Sequence, residues 1–317
     1  MTNMKASLMS ERIEGTSPYR LPSGLNERVE EKLAHVRQLR NRYAPVRCAV
    51  VPAPLVGEIA NLVNRVHTVV PSDEQEFQSW EEAIAQLSSK LGEVDRAVQK
   101  ARETVPLPQC PPEPEFPWFF PISAFGQREG PLAVGNLVVE SLASRKDAVI
   151  TTWGYTEGVC ARFRERDVDL LLAAYGHGPS TFLVATSGRV TCRLRASIPS
   201  GITLFVQRLA ALDMLGRTFK WLGKALGSAS LSGDAAFDRA CQVDGNPGIA
   251  AALLTDSVRQ LLLMHPIEQL VIANGTVEVV WSAPWANRGV NILPDPPVAL
   301  VVAIVESVHA ALGPLSS

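Results

Sequence analysis

Leu25, Val29, Leu33, Val36, Leu39 and Tyr43 recur every three or four residues, with charges such as Glu27, Arg28, Glu31 and Lys32 between them. That spacing predicts one amphipathic helix. Prolines at 45, 52 and 54 predict a break over residues 44–54, and a second helix over 55–69. The third helical signal is the longest. Phe77, Trp80, Ile84, Leu87, Leu91, Val94, Val98 and Ala101 follow one another at alternating spacings of three and four. They draw a single apolar seam on a helix over 72–104, about 45 Å long. Ser72 or Asp73 can cap it, and Glu74 and Glu76 suit its first turn. A seam of that length needs a partner helix. The first helix supplies one within the chain, and a second copy could supply another.

Prolines at 106, 108, 111, 112, 114, 117 and 121 exclude helix and central strand from the next stretch. Polyproline-like backbone is expected there, with Trp118, Phe119 and Phe120 docked on a neighbouring domain. The pattern then changes period. Residues 137–142 and 148–153 are candidate strands. Val159, Ala161 and Phe163 alternate with Cys160, Arg162 and Arg164. Val168, Leu170 and Leu172 alternate with Asp167, Asp169 and Leu171. Val190, Cys192, Leu194, Ala196 and Ile198 alternate with Arg189, Thr191, Arg193, Arg195 and Ser197. Period two over ten residues is a strand with one buried face and one polar face. Residues 175–180 and Ser187-Gly188 read as turns. Residues 201–227 are ambiguous, with helical spacing in 212–226. Residues 237–243 read as a strand. Asn246 caps a helix that has Pro247 at its first position, and Thr255 caps the next. Residues 267–273 and 276–281 flank Asn274-Gly275, a strong hairpin signal. A last helix is expected over 298–312. No internal repeat is evident.

The pattern predicts an α+β protein: an N-terminal helical hairpin or bundle, and a C-terminal, mostly antiparallel sheet with packed helices. The expected organisation is a disordered tail (1–24), a helical module (25–105), a proline-rich linker (106–134) and an α+β domain (135–317). The length of 317 residues suits two domains, and the hydrophobic fraction of 46% suits buried cores. The formal charge of −2 gives no whole-chain reason to expect nucleic acid.

Cysteines at 48, 110, 160, 192 and 241 are scattered and odd in number, without a Cys-x-x-Cys pair. That argues against a disulfide framework and a zinc site, and for small buried residues in a reducing compartment. The first 24 residues lack the apolar run of a secretory signal, and no stretch of about 18 uncharged apolar residues occurs. Cytoplasmic residence is the expectation.

Gly233-Asp234, Phe237-Asp238-Arg239, Val243, the helix signals over 246–254 and 255–263, and the Gly- and Arg-bearing stretch 158–172 resemble a bacterial domain family of unknown function. The resemblance spans residues 156–312. The sequence departs from it at Cys241, where a larger apolar residue is usual, and it lacks the membrane anchor of many relatives. The resemblance implies a domain and carries no activity, so it assigns no role to any residue.

No phosphate-loop, dinucleotide, zinc-protease or nucleophile-elbow motif occurs. No cofactor or metal is expected. His265 and Glu268 stand three apart, but Pro266 lies between them, and His177, between Gly176 and Gly178, reads as a turn histidine. The stronger signal is Arg162, Arg164, Arg189, Arg193 and Arg195 on alternating strands. Gathered on one sheet face, they would bind phosphate, a carboxylate or an acidic partner. A solvated face salted by Glu165, Asp167 and Asp169 is the plainer reading. Asp234, Asp238 and Asp244 suit turns and caps.

The leading functional expectation is a non-catalytic binding or scaffold protein that engages a protein partner or itself. Its contact residues would be the seam of Phe77, Trp80, Ile84, Leu87, Leu91 and Val94. Two alternatives accompany it. One is a peripheral protein lying on a membrane surface through 212–226, where Arg217, Lys220 and Lys224 flank Phe219 and Trp221. The other is an enzyme of unidentified class, its site assembled from scattered residues.

Overall fold

The structure is a computed structural model that describes residues 24–41, 44–68, 71–109, 149–152, 158–177, 187–209, 234–286 and 296–313. The expected tail, most of the proline-rich linker, its aromatic run, the candidate strand at 137–142 and the segment 212–226 lie outside the described residues. The chain forms two compact units. One comprises residues 1–43 and 52–93, the other residues 44–51 and 94–317.

The first unit is built from helices α1 (Leu25–Asn41), α3 (Ala53–Thr68) and α4 (Glu74–Glu103) through Glu93. Asp73 caps α4 by accepting from the Glu76 amide at 2.8 Å. Glu76 reaches back to the Ser72 amide, also at 2.8 Å, so two amides at the helix start are satisfied. Contacts fix the helix directions. Arg28 pairs with Glu74 and Lys32 with Glu81, so α1 runs parallel to α4. Ser79 accepts from Arg65, the Trp80 indole donates to the Val66 carbonyl at 3.0 Å, and Lys90 pairs with Glu58, so α3 runs antiparallel. The seam from Phe77 to Val94 is only 1–4% exposed. Val29, Val36 and Leu39 of α1 and Ile59 and Val66 of α3 are buried with it. The seam is thus covered by the chain itself. The surface ion pairs add little, and apolar burial carries the unit.

Between α1 and α3 the prolines do not simply break the chain. Pro45 opens a short helix, α2 (Pro45–Ala49), because proline suits the first helical position, where its missing amide is not needed. This helix belongs to the second unit.

Among the described residues, the second unit holds an eight-stranded sheet and the helices packed on it. Its strands are β1 (Val149–Thr152), β2 (Gly158–Glu165), β3 (Val168–His177), β4 (Ser187–Ser197), β5 (Leu204–Arg208), β6 (Cys241–Gly245), β7 (Ile267–Ala273) and β8 (Thr276–Ala286). The spatial order is β1-β2-β3-β4-β8-β7-β5-β6, and every pairing is antiparallel. Two tight turns set the register. Asn274 and Gly275 adopt φ of 51° and 76°, the positive values of a two-residue hairpin turn. The β2–β3 turn uses Arg166 and Asp167 at φ of 47° and 64°, without glycine. Ser187 and Gly188, read as a turn from sequence, begin β4 instead, where they pair with Ala286 and Trp285.

One face of the sheet forms the core. It carries Ala161, Phe163, Leu170, Leu172, Cys192, Leu194, Ala196, Val277, Val279, Trp281, Leu270, Ile272, Leu204 and Val206. Helix α8 (Val298–Leu312) packs against β4 and β8 and against helices α6 (Pro247–Leu253) and α7 (Asp256–Met264). Its buried Leu300, Val301, Val302, Ile304, Val305, Val308 and Leu312 explain its near-continuous apolar sequence. No helix among the described residues is long and apolar enough to cross a membrane. Asn246 and Thr255 cap α6 and α7 as expected.

Residues 237–243 differ from the expected strand. Asp234 accepts from the Ala236 and Phe237 amides and starts helix α5 (Ala235–Ala240), and the strand begins only at Cys241. The cap decides the matter, because six residues are too few for periodicity to separate helix from strand.

Arginines close the helix ends. Arg47 donates to the Leu312 carbonyl at 2.8 Å and pairs with Asp95, and Arg102 donates to the His309 carbonyl. Both put positive charge at the C-terminus of α8, where carbonyls lack helical partners. Arg208 does the same for α7 through the carbonyls of Leu263 and His265. Gly201, at φ of 100°, permits the tightest approach: a Cβ there would lie 1.9 Å from the Ala49 carbonyl oxygen.

Two outcomes test this packing. Leu87→Asp should unfold the helical unit, because it places an unpaired charge in an apolar seam; a native circular-dichroism melt would contradict that. Arg47→Ala should cost about 2 kcal/mol in urea unfolding, since it removes the cation beside Asp95 and an end donor from α8. An unchanged midpoint would contradict it.

Candidate functional site

Period two places the arginines. With Leu170, Leu172, Leu194 and Ala196 committed to the buried face, their sequence neighbours must point to the other. The register then aligns this second face strand by strand. Across one row, Val149 of β1 faces Arg162 of β2, Arg162 faces Leu171 of β3, Leu171 faces Arg195 of β4, and Arg195 faces Glu278 of β8. The next row runs Thr151, Cys160, Ala173, Arg193, Val280. Arg164 lies opposite Asp169 at the hairpin end. Arg189 continues the β4 series opposite His177 and Pro284, and only its backbone is described. β2 and β4 do not pair with each other. β3 lies between them, so Arg162 and Arg195 flank Leu171 at roughly 10 Å between Cα atoms, two strand spacings.

These arginines differ in their surroundings. Arg162 is exposed, and no ion pair joins it to another described residue. Arg164 is exposed and pairs with Asp169 at 3.3 Å. Arg193 and Arg195 share Glu278. One carboxylate oxygen accepts from Arg193 Nη1 at 3.3 Å and the other from Arg195 Nε. Glu278 is only 14% exposed, against 34% and 20% for its two arginines. Among the described residues, Arg164 meets Asp169, and Arg193 and Arg195 meet Glu278.

Between the arginines the face is apolar and covered. Leu171 and Ala173 are 0% exposed and Cys160 1%. Long arginine stems flanking a leucine can shield it while their heads stay wet. Cys160 is disulfide-bonded. This corrects the expectation that all five cysteines are free. Cys48, Cys192 and Cys241 are not disulfide-bonded, and Cys110 lies outside the described residues. Burial pushes the thiol of Cys192 up to about 12 and that of Cys241 up to about 11. Neither supplies a thiolate near neutral pH.

The remaining sequence candidates do not converge. Asp234 is a helix cap, and its carboxyl is held below the ordinary value by the amides of Phe237 and Ala236 and by Arg259. His265 ends α7, with its carbonyl bonded to Arg208. His177 ends β3 rather than occupying a turn. Among the described residues no group of three His, Cys, Asp or Glu could hold a metal. The seam from Phe77 to Val94 is core, so it can meet a partner only if the bundle opens. Sequence reasoning missed Glu278. Its one signal was a lone charge inside the apolar run from Val277 to Trp281.

Compared with known protein families, with curated proteins and with solved structures, the chain matches none. The roles of its residues therefore rest on geometry.

The disulfide yields a direct count. Under denaturing conditions without reductant, three of the five cysteines should alkylate, and all five after reduction, read by intact mass. Five alkylations without reductant would show that Cys160 is free. A disulfide that persists in the native host would also favour an oxidising compartment over the cytoplasm.

Proposed function

We propose that this protein is a non-catalytic binding protein whose arginine-bearing sheet face docks an acidic segment of a protein partner. The observation that carries the reading is the register row in which Arg162 and Arg195 flank Leu171, with Arg193 and Arg164 beside them. Guanidinium groups offer planar pairs of donors that match carboxylates. Charge complementarity selects the occupant. Guanidinium groups gathered on one face of a slightly acidic chain attract acidic groups to that face. The earlier assignment of contact to the helical seam is set aside, because burial already uses those side chains. The membrane reading of 212–226 concerns residues outside those described.

The full chain should bind poly-L-glutamate at low ionic strength, measured by fluorescence anisotropy. Binding should weaken as salt shortens the reach of each charge. Arg162→Ala, at an exposed position without a described ion pair, should reduce affinity about threefold to tenfold and leave the melting temperature unchanged. No binding at low salt, or binding indifferent to Arg162→Ala and Arg164→Ala together, would overturn the reading. Binding of heparin without poly-L-glutamate would overturn the carboxylate-bearing partner.

A further inference from the structure

We infer that the proline-rich segment after α4 lies across the arginine-bearing sheet face, tethered by a disulfide between Cys110 and Cys160, with Glu113 seated at Arg193. The partner of Cys160 follows by elimination. Cys160 is disulfide-bonded, Cys48, Cys192 and Cys241 are not, and Cys110 is the one cysteine left. Cys160 shares its face with Arg162, opposite the core face of Ala161 and Phe163. The tether therefore brings the segment to that face at β2. Burial gives its direction from there. Leu171 and Ala173 of β3 and Val280 of β8 are buried on the same face, whereas Val149 at the β1 edge is exposed. Among the described residues, the buried cluster around the disulfide is confined to Cys160, Leu171 and Ala173, so no buried side chain of another element supplies the cover. The cover runs from β2 over β3 toward β4, away from β1.

The sequence of the segment fits that path. It reads Cys110-Pro111-Pro112-Glu113-Pro114-Glu115-Phe116. Proline fixes its own φ and keeps the residue before it out of the helical region, so this stretch is extended. Polyproline backbone turns once every three residues and rises about 3.1 Å per residue. Cys110, Glu113 and Phe116 thus share one side, at steps of about 9 Å. Two strand spacings are roughly 10 Å. A segment tethered at Cys160 and crossing β3 therefore brings Glu113 over β4, in the row that runs Cys160, Ala173, Arg193. Charge fixes the seat, because a carboxylate meets a guanidinium there. Arg193 is half-buried and interacts with more than Glu278 alone. Phe116 follows on the same side toward the buried Val280. Proline also suits a cover over Ala173 and Leu171, since it brings no amide that would need a partner on an apolar surface. Arg162 and Arg164 stay exposed, so the seat of this segment does not depend on a partner binding there.

Two measurements on the full chain test the inference. Digestion without reductant should yield one peptide pair that joins Cys110 to Cys160 and is lost on reduction. Any other partner for Cys160, or none, overturns the tether and the seat with it. Thermal melting then tests the seat. Glu113→Gln should lower the midpoint by about 1–3 °C in the parent and leave it unchanged in an Arg193→Gln background. Glu115→Gln, on another side of the polyproline turn, should show no such dependence on Arg193. Should Arg193→Gln fail to fold, Cys110→Ser serves as the second background, and release of the tether should likewise abolish the effect of Glu113→Gln. No effect of Glu113→Gln in the parent, or the same effect in both backgrounds, overturns the seat at Arg193. Dependence on Arg193 shown by Glu115→Gln instead overturns the assignment of Glu113.

Discussion

The register of β4 against its two neighbours is the constraint on which the second unit depends. β4 pairs with β3 over eight residues and with β8 over eleven. Its odd-numbered positions carry arginine, threonine and serine, and Cys192, Leu194 and Ala196 between them are buried. A slip of one residue would drive three arginines into the core and expose the leucine layer. The cost of burying unpaired guanidinium groups forbids it. Core and arginine-bearing face are therefore two readings of one alternation. The same register delivers Glu278 to Arg195 although 83 residues separate them in sequence.

The helical unit follows different physics. Its core is the seam of α4, and α1 and α3 cover that seam from opposite directions of chain travel. Charged side chains at its edges orient the helices and contribute little energy. A seam used this way is structural, and this shifts the functional weight to the sheet. In the second unit, the ends of α7 and α8 depend on arginines from distant elements. Arg47, Arg102 and Arg208 place charge on carbonyls that no helical amide reaches.

Much of the fold was legible because long periodic signals average out local noise. The alternating spacings of three and four gave α1 and α4, the alternation gave β2, β3 and β4, and Asn274-Gly275 with the caps at Asn246 and Thr255 gave the hairpin and two helix starts. Short elements were not legible. Pro45 starts a five-residue helix where prolines suggested only a break. Asp234 turns Phe237 into a helical residue where apolar content suggested a strand. Ser187-Gly188 has turn composition yet lies in a strand, because pairing with β8 overrides composition. The site was half legible. Alternation named the arginines, but not the intervening β3, the carboxylate of Glu278 or the disulfide of Cys160. Those depend on which distant segments pair, and spacing within one segment carries no such information.

The central claim, that register commits these arginines to the sheet face opposite the core, is tested most directly by cross-strand backbone contacts in solution. Nuclear Overhauser effects between β4 and β8 should link Arg195 with Glu278 and Arg193 with Val280, and those between β3 and β4 should link Leu171 with Arg195. A pattern shifted by one residue, with Arg195 opposite Val277 or Val279, would place the arginines among the core leucines and contradict the account.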